Sequence, residues 1–106
     1  MIVVNRFVVE DAEAEGFRAD LERALEILAA QRGHVDGRIG RNLDDPRLWV
    51  LTTEWESVGA YRRALSTYDV KLAAVQTLAR AVDEPSAYEP VRPGEALNVP
   101  GARSLG

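Results

Sequence analysis

The stretch LWVLTTEWESVGAYRRAL, Leu48 to Leu65, decides the fold. Its first eight residues, Leu48–Trp55, are dominated by β-branched and aromatic side chains, which suit a pleated, half-buried surface. They predict a strand. Ser57 then places a side-chain oxygen where a new helix needs an acceptor for its first free N–H groups. Beyond it Val58, Tyr61 and Leu65 recur on one helical face, with Arg62 and Arg63 turned away. A strand therefore feeds straight into a helix that has to pack back onto the sheet.

Upstream, LDDPR, Leu43–Arg47, reads as a turn: Asp hydrogen-bonds locally and Pro fixes φ. It joins Leu48–Trp55 to a weaker strand at Val35–Leu43. Gly37 and Gly40 lie inside that strand, where glycine marks a bulge or a close backbone approach. Before it, Phe17, Leu21, Ala24, Leu25 and Leu28 form the apolar stripe of a helix of about 20 residues. Asp11 is its expected N-cap and Gly33 its left-handed terminator. The first strand is Ile2–Val9. One side carries Val3, Asn5, Phe7 and Val9, the other Ile2, Val4, Arg6 and Val8. Both sides are mostly apolar, so cover is expected on both.

Downstream, Asp69–Leu78 reads as a further helical piece with Leu72, Val75 and Ala79 as its stripe. A last strand is expected at Ala81–Val91, and Pro85 confines it to an edge or a bulge. The order β-α-β-β-α-β predicts an α+β, ferredoxin-like domain over residues 1–91: a four-stranded antiparallel sheet with helices on one face. Residues 92–106, with Pro93, Gly94, Pro100, Gly101 and Gly106, form a tail. The uncovered face would carry Ile2, Val4, Val8, Leu48 and Val50, too much apolar sheet to leave in water. A homodimer packed sheet to sheet, a dimeric α+β barrel, is the expected solution.

Composition narrows the partners. The 106 residues carry a net charge of −4, one histidine and no cysteine. The arginines are scattered, so no basic face addresses nucleic acid. No Cys/His or Ca²⁺-loop pattern exists, so no metal is expected. No apolar run reaches the roughly 18–20 residues of a membrane span, and the N-terminal strand lacks the features of a signal peptide. A cytoplasmic location is the expectation.

The substrate-binding candidates are Asn5, Trp55, Tyr61 and Tyr68. Asn5 is a polar outlier on an apolar strand face, and a buried amide needs a partner. Trp55 can wall a pocket for a planar ligand, or serve as a core aromatic. Tyr61 can donate a hydrogen bond to a substrate oxygen, or fill the helix–sheet seam with its hydroxyl at the edge. Tyr68 starts the next helical piece and can reach the pocket mouth. No catalytic residue is evident. His34 reads as a solvated turn residue, Ser57 as a cap, and Arg6 with Glu54 as an ion pair inside the barrel.

The chain resembles the antibiotic biosynthesis monooxygenase family of the dimeric α+β barrel superfamily. The residues that carry this are RGHVDGRIGRNLDDPRLWVLTTEWESVGAYRRAL from Arg32, YDVKLAAV from Tyr68 and EPSAYEPV from Glu84. The resemblance implies the dimer and a pocket between sheet and helices. In the branch of cofactor-free oxygenases that oxidise phenolic anthrones with O₂, the tryptophan and tyrosine match Trp55 and Tyr61. That branch's asparagine is replaced by Leu51, and Lys71 is the nearest cation to its helix arginine. In the heme-degrading branch Asn5 and Trp55 match, but the iron-ligating histidine falls at Ala73, so heme degradation is not expected. The implied function is a cofactor-independent monooxygenase acting on a small aromatic metabolite. A non-catalytic dimeric module that binds such a metabolite is the alternative, and a structural domain with a filled pocket the third reading.

Overall fold

The structure, a computed structural model, describes residues 1–98. The part of the expected tail at residues 99–106 lies outside them. The elements are β1 (Ile2–Val8), α1 (Ala14–Ala29), β2 (His34–Arg41), β3 (Leu48–Trp55), α2 (Val58–Ser66), α3 (Tyr68–Ala73), α4 (Val75–Leu78) and β4 (Ala87–Tyr88). The four strands form one antiparallel sheet in the order β2-β3-β1-β4. This is the ferredoxin-like α+β arrangement the element order predicts.

β3 is central and sets the layers. Trp49, Leu51, Thr53 and Trp55 are buried, while Leu48, Val50, Thr52 and Glu54 between them are half-buried. Successive side chains alternate across a strand, so the first set faces the helices. β1 lies against β3 in the register Ile2↔Glu54 to Val8↔Leu48. That pairing puts Val3 and Phe7 on the helix side with Trp49 and Leu51. Phe17, Leu21, Ala24 and Leu28 of α1 close the core over them. Each fully buried large apolar side chain contributes about 1.5–3 kcal/mol relative to exposure.

Local chemistry fixes the ends. The Ser57 side chain accepts a hydrogen bond from the Ala60 N–H at 3.1 Å, as a cap should. In the hairpin, Asn42 Oδ1 accepts from the N–H groups of Asp44 and Asp45, both at 2.8 Å, and Asp45 accepts from the Arg47 N–H at 3.1 Å. Gly33 adopts φ +89°, and a Cβ there would stand 2.5 Å from the Ala60 Cβ. Both the backbone and the close approach of α2 therefore demand glycine. Gly37 follows a register shift in β2, and a Cβ on it would meet Leu25 Cδ1 at 2.6 Å.

Four expectations change. Asp11 does not cap α1; it opens a short 3-10 turn, Asp11–Glu13, before the helix. The second helical piece is two short helices broken at Ala74, and it buries Val70 and Ala74 instead of Leu72 and Val75, which are 69% and 38% exposed. Both stripes are apolar at helical spacing; the close contact of α3 and α4 with α1 selects the one with the smaller residue. The last strand shrinks to Ala87–Tyr88, although β1 keeps its edge partners around Pro85 through Val82 N–H to Arg6 O and Val4 N–H to Ser86 O, both 2.7 Å. Finally, Arg6 does not meet Glu54. On β1 it sits opposite Val50, far from the end where Glu54 pairs Ile2. It instead holds Glu84 in a two-point ion pair at 2.6 and 2.8 Å.

Two glycine substitutions separate the conformational claims. Gly16 lies inside α1, and a Cβ there would meet nothing within 4 Å, so Gly16→Ala should raise stability. The gain expected in urea unfolding is about 0.4–1 kcal/mol. Gly33→Ala should lower it by about 1–3 kcal/mol.

Candidate functional site

The end of β3 and the start of α2 build an aromatic seam. Trp55 is 1% exposed, and its Nε1–H donates to Thr53 Oγ1 at 2.9 Å. Thr53 lies two residues back, so the strand's own alternation supplies the acceptor on the same face. The Ser57 cap starts α2 and brings Tyr61 onto Trp55, with ring centroids 5.4 Å apart and planes at 54°. From the other side His34 meets the indole edge-on, at 5.2 Å and 89°. Such tilted and edge contacts suit the aromatic quadrupoles.

His34 is therefore not a free turn residue. It is the first residue of β2, and its register partner is Trp55. Its Nε2 is buried with no hydrogen-bond partner among the described residues. Burial, only partly offset by Asp36, lowers its pKa below the ordinary histidine value and favours the neutral ring. Burial pushes the Tyr61 phenol upward, so it stays protonated as a donor. Among the described residues no hydrogen bond engages that hydroxyl.

Trp55 and Tyr61 are thus in contact. Asn5 faces the same side of the sheet but stands opposite Leu51, one strand over. Leu51 and Trp55 are four residues apart, about 13 Å along the strand. Asn5 is half-buried, and no described residue hydrogen-bonds its amide. Tyr68, at the start of α3, is 75% exposed. Leu51 is fully buried, and Ala73 borders a surface cleft with Asp20, Arg23 and Arg80.

A second constellation lies at the other end of β3, and sequence reasoning missed it. Trp49 is 7% exposed, packs edge-on against Phe17 at 5.6 Å, and carries the Arg41 guanidinium over its ring at 5.0 Å. Its Nε1–H is buried and lacks a partner among the described residues. Beside it a cleft of about 350 Å³ opens between α1 and β2. The alternation of Leu48–Trp55 was the available signal, since it puts Trp49 on the same face as Trp55.

Among the described residues no group of His, Asp and Glu side chains has metal-site geometry, and no helix is long and apolar enough to cross a membrane.

A helix-covered four-stranded antiparallel sheet with an aromatic seam at the end of its central strand defines an α+β domain of ferredoxin-like type. The chain belongs to the antibiotic biosynthesis monooxygenase family, whose model matches residues 1–84. It is 34% identical over 80 residues to the 42.8 kDa protein in the whiE locus of Streptomyces coelicolor. The match takes in 76% of this chain and 20% of that protein, so the chain spans about a fifth of this relative. It also resembles SnoaB, a cofactor-independent oxygenase from Streptomyces nogalater, at 28% identity and a TM-score of 0.70, covering 89% of this chain and 96% of that one. Rv0793 from Mycobacterium tuberculosis shares the fold at 18% identity and a TM-score of 0.68, covering 89% and 97%.

The seam makes two stability predictions. Thr53→Val keeps the shape but strands the Trp55 N–H, which should cost about 1–3 kcal/mol in urea unfolding. His34 binds its proton more readily when unfolded, so stability should rise with pH through its titration. Between pH 7.5 and 5.5, stability should fall once the pH drops below about 6.5, the unfolded histidine value. His34→Gln should flatten that slope.

Proposed function

We propose that the chain is a cofactor-independent monooxygenase that oxidises a small phenol- or quinol-type aromatic with O₂ at the Trp55–Tyr61 seam. The observation that carries this reading is the Tyr61 phenol, kept protonated by burial and unengaged by any described residue, lying against the Trp55 ring. A donor so placed stabilises negative charge developing on a substrate oxygen. Membership of the family and the likeness to SnoaB support the reaction class.

For an anthrone the chemistry balances without an added reductant. The ring-bridging CH₂ loses a proton to water, which later returns one to the peroxide anion, and Tyr61 holds the resulting phenolate-like oxygen. The carbanion passes an electron to O₂, and the two radicals combine at carbon. Loss of water from the hydroperoxide leaves a carbonyl. One oxygen atom enters the product and the other leaves as water. The protein's contribution is orientation and a dry surface. Asn5 and Tyr68 complete the proposed substrate contacts, and no cofactor is required. The chain would work as a homodimer that buries the uncovered sheet face. That face carries Ile2, Val4, Val8, Leu48 and Val50, with Val8 56% exposed.

A second reading is a dimeric module that binds such a metabolite without turnover. Leu51 and Ala73 favour it, because side chains there can neither donate nor accept a hydrogen bond.

Oxygen uptake with anthrone and hydroquinone separates the two. The proposal expects turnover above buffer and a loss of about 10²–10³-fold in Tyr61→Phe, which removes only the donor. Saturable binding without oxygen uptake would establish the second reading instead.

A further inference from the structure

We propose that the cleft between α1 and β2 is a second binding site, one for a small neutral aromatic molecule that presents a carbonyl oxygen. It lies at the opposite end of β3 from Trp55, and neither Trp55 nor Tyr61 lines it. This inference stands apart from the proposed oxidation.

Three observations define the ligand. The first is the Trp49 Nε1–H, a donor with no partner among the described residues, in a side chain only 7% exposed. Buried donors are almost always paired, and an indole can only donate, so the missing group is an acceptor. The second is the balance of charge. Arg18 and Arg41 line the cleft together with Glu15 and Glu22. Arg18 lies 4.0 Å from Glu15 and 3.6 Å from Glu22, and Arg41 Nε donates to Pro46 O at 2.6 Å. The cations are already engaged and the carboxylates would repel an anion, so a carbonyl fits better than a carboxylate. The third is shape and size. The cleft is about 350 Å³, within the range of small-molecule sites, and Trp49, Ile39 and Ala14 supply its apolar wall.

The indole N–H is itself closed to solvent, so the ligand oxygen reaches it as a neighbouring side chain shifts. Arg41 is the side chain over the ring, and its movement would break its Nε bond to Pro46 O. Its guanidinium lies over the Trp49 ring, its side chain is 42% exposed, and its nearest carboxylate, Asp11, is 4.0 Å away.

Proton–nitrogen correlation spectra test the site directly, because the chain has two tryptophans and so two indole N–H signals. Trp49→Phe assigns them by removing one. The full chain is titrated with 2-naphthamide, with 2-naphthoate and with naphthalene. Naphthamide should shift the Trp49 signal saturably and leave the Trp55 signal in place. Naphthoate and naphthalene should each bind at least threefold more weakly. In Trp49→Phe, methyl signals of Ile39 and Ala14 should report binding roughly three- to tenfold weaker, the loss of one hydrogen bond. Tyr61→Phe should leave the titration unchanged. An unmoved Trp49 signal up to the solubility limit, or equal binding by naphthalene, would overturn the proposal. A shift lost in Tyr61→Phe would overturn it too, by placing the ligand at the seam.

Discussion

The alternation of β3 is the constraint on which the rest of the molecule depends. Trp49, Leu51, Thr53 and Trp55 point one way along a single strand, and three of the four are large and apolar. Water cannot hold that face, so α1 and the short helices must cover it. Each large residue then recruits its own neighbours. Trp49 takes Phe17 and Arg41, while Trp55 takes His34 and Tyr61. The two indole N–H groups have different fates. Trp55 finds Thr53 on its own strand, and Trp49 finds no partner among the described residues. The same strand thus builds a settled end and an unsettled one.

Much of this was legible in the residues. The order of elements, the Ser57 cap, the left-handed Gly33 and the hairpin turn follow from local chemistry that acts within a few residues. The contact of Tyr61 with Trp55 follows from a strand that runs into a helix with one cap between them. What was not legible depends on tertiary choice. Leu72 and Val75 make as good an apolar stripe as Val70 and Ala74, and only packing against α1 decides between them. His34 looked like a turn residue because its burial comes from Trp55, 21 positions away in sequence. Arg6 looked like a partner for Glu54, yet the strand register separates them and Glu84 arrives from beyond the last helix.

Function is written less firmly than fold for a related reason. The family sets a reaction class, and the seam supplies a buried phenol in a suitable place. The positions that would complete a known constellation carry Leu51, buried in the core, and Ala73, at a surface cleft, and neither side chain can form a hydrogen bond. The proposed reaction would therefore draw on orientation, a dry surface and one hydrogen-bond donor, with O₂ as the oxidant.

The other side of β3 carries the remaining demand. Leu48, Val50, Ile2, Val4 and Val8 share a face that none of the described helices covers, crossed by the exposed Arg6–Glu84 pair. It is the face that the proposed homodimer would bury. Sedimentation equilibrium at micromolar concentration tests that most directly. A single species of about twice the 11.7 kDa chain mass is expected, and a stable 11.7 kDa monomer would rule out the dimer.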